Sequence, residues 1–122
     1  MNIEYGIFDA KGFTKHPTIG FDKEYIALED LLNVDHLSIT LDDILRDIKL
    51  VEDKHSLIQK IGSERSLAEI TENQVTIYDL FEDMVDEEDV YPLVILSLEQ
   101  FKTIVLNWKQ KREELIKLID ND

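Results

Sequence analysis

The sequence predicts an α+β fold, a mainly antiparallel sheet with helices packed on one side and a long C-terminal helix closing the chain. Three observations carry that expectation. Short runs with the two-residue alternation of strands lie towards both ends of the 122-residue chain. Between and after them, apolar residues recur at spacings of three and four, the period of an amphipathic helix. No repeat, low-complexity tract or Pro/Ser-rich linker divides the chain, so residues 1–122 are expected to form one domain.

Each element has its own local reason. Ile3, Tyr5 and Ile7 alternate with Glu4, Gly6 and Phe8, which predicts a strand. Asp9-Ala10-Lys11-Gly12 supplies a turn, and Phe13 to Phe21 is expected to return as the partner strand, irregular near Pro17. Asp22 is placed to cap a short helix whose apolar side is Tyr25, Ile26, Leu28, Leu31 and Leu32. Thr40 caps the next helix, with Asp42 and Asp43 at the favourable end of its dipole. Its seam runs through Leu41, Ile44, Ile48, Val51 and Ile58, with His55 half-buried in the gap. That helix can continue to Ile61 and stop at Gly62, or break near Asp53.

Beyond Gly62 the texture is that of strands. Ser66 to Ile70 and Gln74 to Tyr78 flank Thr71-Glu72-Asn73, which predicts a hairpin. Tyr91 to Leu96 is apolar on both parities, as expected of a central strand buried on both faces, with Pro92 tolerated only at its start. Ser97 and Gln100 form a capping-box pair. Leu98, Phe101, Ile104, Val105, Trp108, Leu115 and Ile119 then mark one face of a helix reaching about Leu118.

Composition excludes several chemistries. Without cysteine there is no disulfide scaffold, thiolate zinc site or Cys nucleophile. The four glycines fall into no phosphate-cradling GxxxxGK[ST] or GxGxxG pattern and no GxSxG elbow. The first residues lack the basic and apolar regions of a secretory leader, and Leu93 to Leu96 is far short of the ~20 residues that span a bilayer. A soluble, cytoplasmic protein is expected. His16, His36 and His55 are scattered, and Asp35-His36-Leu37-Ser38 supplies the residue types of a triad but within one segment. No catalytic residue and no cofactor is assigned.

The charge is more informative. Thirteen Lys and Arg oppose 27 Asp and Glu, a net −14, which argues against nucleic acid or anionic membrane as a direct partner. Ser66 to Phe101 contains no Lys or Arg and carries −10, whereas the other 86 residues carry −4. The densest part, Asp79 to Asp89, has seven acids in eleven residues, interleaved with Leu80, Phe81, Met84 and Val85 and bracketed by Tyr78 and Tyr91. Such a segment reads as a solvated loop, a cation site, a phosphate mimic or a contact for a basic protein. The Ca²⁺-loop pattern with its glycine is absent, so no metal is assigned. In an extended segment alternate carboxylates lie about 6.5 Å apart, close to the phosphate spacing of one DNA strand.

Pro92-Leu93-Val94-Ile95-Leu96-Ser97-Leu98-Glu99-Gln100-Phe101, with Trp108 seven residues on, resembles the C-terminal strand and helix of small immunity proteins. These belong to bacterial polymorphic-toxin and contact-dependent growth-inhibition systems. The resemblance implies a non-enzymatic cytoplasmic inhibitor that neutralises a cognate toxin domain, commonly a nuclease. Joined to the charge, it makes Tyr78, Asp79, Phe81, Glu82, Asp83, Asp86, Glu87, Glu88, Asp89 and Tyr91 the expected contacts with a basic partner, the aromatics as anchors. The alternative of another kind is a phage or plasmid DNA mimic that inhibits a nucleic-acid-binding host protein.

Overall fold

The computed structural model describes residues 1–121, and it is α+β with a long C-terminal helix. Six antiparallel strands form two sheets, and three α-helices pack on one side. β1 (Ile3–Phe8) and β2 (His16–Phe21) are a hairpin with Ile3 opposite Phe21 and Phe8 opposite His16. Its turn closes through the Phe13 N–H donating to the Ala10 carbonyl at 3.0 Å, with Gly12 at φ 87° where a side chain would be strained. The return strand therefore starts at His16, three residues later than its apolar residues suggested.

This hairpin stays separate because side chains occupy its second edge. Asn33 accepts the Ile19 N–H and donates to the Ile19 carbonyl, and Glu29 accepts the Phe21 N–H. Two residues at the end of α1 (Ile26–Leu32) and within it thus satisfy groups that another strand would otherwise pair. Asp22 does not cap that helix with its side chain. Its carboxylate accepts the Asn2 N–H instead, and a 3₁₀ turn, Lys23–Tyr25, leads into α1.

α2 (Leu41–Glu52) starts as its sequence predicts, with Thr40 and Asp43 exchanging backbone and side-chain bonds in a capping box. It ends at Glu52 with Asp53 as its C-cap, at the break expected near Asp53 rather than at Ile61. Lys54 takes φ 59°, and the Leu50 carbonyl accepts N–H groups from His55 and Ser56. The chain then leaves the helix, His55 is exposed rather than half-buried, and Ile61 belongs to a strand. Gly62 is needed there for close approach, because a Cβ would run into the Ser66 carbonyl.

β3 (Gln59–Gly62), β4 (Ser66–Ile70), β5 (Val75–Asp79) and β6 (Val94–Leu96) make the second sheet in that order. The predicted hairpin is present as β4–β5, with Ile70 opposite Val75. The expected central strand is an edge strand of three residues. Val94 and Leu96 are buried, but Leu93 and Ile95 are each 57% exposed. Apolar residues of both parities mean double burial only where layers cover both faces, and the helices cover only one.

α3 (Leu98–Asp120) carries the expected Ser97–Gln100 capping box and buries Leu98, Phe101, Ile104, Val105, Trp108 and Leu115. Its cations reach back to acids of earlier segments: Lys102 to Glu52 at 3.0 Å, Lys109 to Asp42 at 2.7 Å and Arg112 to Asp35 at 2.7 Å. The two lysine pairs are solvent-exposed and add little stability, whereas Arg112–Asp35 is partly buried. Their larger consequence is that these bases are spent on the helical side. Among the described residues no helix is long and apolar enough to cross a membrane.

One buried acid opposes this packing. Asp47 on α2 is 7% exposed, its nearest cation is Arg46 Nε at 3.8 Å, and burial lifts its carboxyl above the usual range. An acid raised in the native state costs stability as pH climbs through its unfolded and then its folded value, so the cost is complete at neutral pH. Asp47→Asn is expected to raise the thermal midpoint at pH 7 by roughly 2–4 °C, with the gain vanishing below about pH 3. An equal or lower midpoint in circular-dichroism melts would show that the charge is compensated.

Candidate functional site

The acidic segment lies between β5 and β6, and its shape follows from one carboxylate at its entrance. Asp79 ends β5 only 5% exposed. Arg65, just before β4, donates Nε to Asp79 Oδ1 at 3.0 Å and Nη2 to Oδ2 at 2.8 Å. The same carboxylate accepts the N–H groups of Phe81 at 2.8 Å and Tyr91 at 2.9 Å. The Arg65 hydrogen bonds hold its carboxyl down to about 2, with the two backbone donors adding to them against burial. One side chain thereby ties the first and last parts of the loop together.

Arg65 makes a further attachment, donating Nη2 to the Asp89 carbonyl at 2.8 Å. Its guanidinium lies 3.7 Å from the Tyr91 ring centroid and 5.3 Å from that of Phe81, so both aromatics flank this cation. Arg65 is itself held from behind. Ser63 Oγ accepts the N–H groups of Arg65 and Ser66 and donates to Asp30 of α1. The segment between is not extended. Met84 N–H bonds Phe81 O at 2.8 Å, and Glu87–Asp89 form a 3₁₀ turn begun by Asp89 N–H on Asp86 O. The regular spacing of alternate carboxylates that would imitate a phosphate backbone is therefore not present.

The expected contact residues divide into two groups. Asp79, Phe81 and Tyr91 are built into the base of the loop around Arg65, while Tyr78, half-buried on β5, alternates to the other face of the strand. Glu82, Asp83, Asp86, Glu87, Glu88 and Asp89 are all exposed. Among the described residues none of these six takes part in an ion pair. The loop therefore presents six uncompensated charges on a backbone fastened at Asp79, Asp89 and Tyr91. Sequence reading missed Arg65, whose only signal was that it stands one residue before the base-free window.

Oxygens of Asp86, Glu88 and Asp89 can come within 4.8 Å of one another, a donor set suited to a hard cation such as Ca²⁺ or Mg²⁺. All three are exposed, and the loop has no glycine for a tight metal-binding turn. A cleft of about 400 Å³ behind the loop is lined by Asp30, His36, Ser38, Ser63, Arg65 and Phe81, among others. Asp35 serves Arg112 rather than His36, and its second oxygen lies 3.8 Å from His16 Nδ1. His36 instead meets the His16 ring edge-on at 4.9 Å, which is packing geometry rather than a proton relay. No family model, curated protein or solved structure matches the chain.

Proposed function

We propose that this chain is an immunity-type inhibitor that binds and neutralises a basic toxin domain, expected to be a nuclease, through the exposed acids of the 80–92 loop. The observation that carries this reading is the display of six exposed carboxylates, without an ion pair among the described residues, with Arg65 turned inward onto Asp79. Carboxylates fixed on a fastened backbone steer a basic partner during encounter, and they lose little conformational freedom when it docks. A nuclease cleft that attracts phosphate would attract this surface and be covered by it. The protein acts in the cytoplasm in this reading, where the toxin's nucleic-acid substrate lies. The chain's own residues need perform no chemistry.

The test is charge reversal with Asp83→Lys, Glu87→Lys and Glu88→Lys combined. Association is measured by stopped flow against a toxin domain that co-purifies with the chain from its native host, inactivated in its active site, over a range of salt. The rate constant is expected to fall roughly 100-fold at low salt and to lose most of its salt dependence. An unchanged rate and salt slope would remove the loop from the mechanism.

A further inference from the structure

We infer that the uncovered face of the four-stranded sheet, at its β5–β6 end, is the apolar centre of the same interface, with the acidic loop as its rim. This rests on the proposed binding of a basic toxin domain and names where that partner sits. Strand parity divides the sheet cleanly. Ala68, Ile70, Val75, Ile77, Val94 and Leu96 are at most 5% exposed and form the face under the helices. The opposite parity places Leu67 opposite Tyr78 and Thr76 opposite Ile95 on a face that no helix covers. Leu93 and Ile95 are more than half exposed there. The charged residues of this face, Lys60 and Glu69, stand opposite each other across β3–β4, away from β6.

The apolar end of the sheet is continuous with the loop: Tyr78 directly precedes Asp79, and Leu93 follows Tyr91 by two residues. The 92–96 run Pro-Leu-Val-Ile-Leu has no charge at all, so the β6 end of this face is wholly apolar. A stable interface combines an apolar, desolvated centre with a charged rim, and these two surfaces meet that description side by side. Charge decides the occupant. A second copy would bring another −14 against this −14, whereas a basic domain gains from the rim.

The experiment is a Leu93→Ser, Ile95→Thr double variant, both positions pointing away from the core so that folding is retained. Against the same inactivated toxin domain, the dissociation rate is expected to rise about tenfold or more while association stays within about twofold. If loop charge reversal slows association but the double variant dissociates like the wild type, the sheet face is not in the interface and the acidic reading stands alone. If neither variant changes binding, or the wild type does not bind, both readings fall. Hydrogen exchange on the wild-type complex gives an answer that needs no variant: amides of residues 93–96 should slow on binding, and unchanged exchange overturns the inference. A wild-type dimer in 0.5 M salt (roughly the level at which charge repulsion is screened) that the double variant disperses would make a second copy the occupant, and would overturn it equally.

Discussion

Trp108→Ala is expected to destabilise the protein by about 3–5 kcal/mol, enough to leave a domain of ordinary stability partly unfolded at 37 °C. Trp108 is wholly buried on α3, and it is the sole tryptophan of the chain. Its indole N–H donates to the Leu32 carbonyl at 2.7 Å, and its ring stacks on Tyr5 at 5.8 Å between centroids. One side chain thus joins α3 to the C-terminal end of α1 and to Tyr5 of the hairpin. Truncation leaves a cavity at that junction and an unsatisfied carbonyl at the end of a helix. Trp108→Phe, which keeps most of the apolar volume but removes the donor, should cost about 1–3 kcal/mol. Urea unfolding followed by far-ultraviolet circular dichroism measures both. Equal losses for the two variants would mean that the hydrogen bond, and not the buried volume, accounts for what Trp108 contributes.

Asp79→Ala is expected to cost about 3 kcal/mol and to free the acidic loop. The substitution strands the Arg65 guanidinium beside two aromatic rings and removes the acceptor of the Phe81 and Tyr91 N–H groups. Faster exchange of those two amides should accompany the loss. The same carboxylate makes stability depend on pH. Its native pKa lies at about 2, below the usual carboxylate range, so its contribution is complete above about pH 4. It is lost as pH falls from about 4 to about 2, and amounts to about 2 kcal/mol. The difference between wild type and Asp79→Asn isolates Asp79, and a constant difference between pH 5 and pH 2 would refute its role.

Much of the fold was legible because much of it is local. Both capping boxes close between residues three apart, and the Thr71–Asn73 turn closes through Thr71 N–H on the Gln74 carbonyl. Such geometry depends on neighbouring residues, so the apolar faces of α2 and α3 were also readable up to the end of their periods. The misread strands of the second sheet depend on distant partners. Ile58 and Ile61 continued the helical spacing of α2 by coincidence, and only the pairing of Ile61 with Ala68 reveals a strand. Leu93 and Ile95 looked like core because nothing nearby says whether a second layer covers them.

The candidate site divides along the same line. By itself the sequence determined where the charge is: a window of 36 residues without a base, densest between Asp79 and Asp89. It also determined that this segment lies between a strand and the strand–helix ending. Only the tertiary structure decided which of those acids stay exposed and which is buried against a cation. Arg65 crosses a separation of fourteen residues to take Asp79 out of the set, and leaves six carboxylates exposed around the fastened loop. The physical reason is that a carboxylate's availability depends on which cation reaches it through space, and composition along the chain carries no record of that.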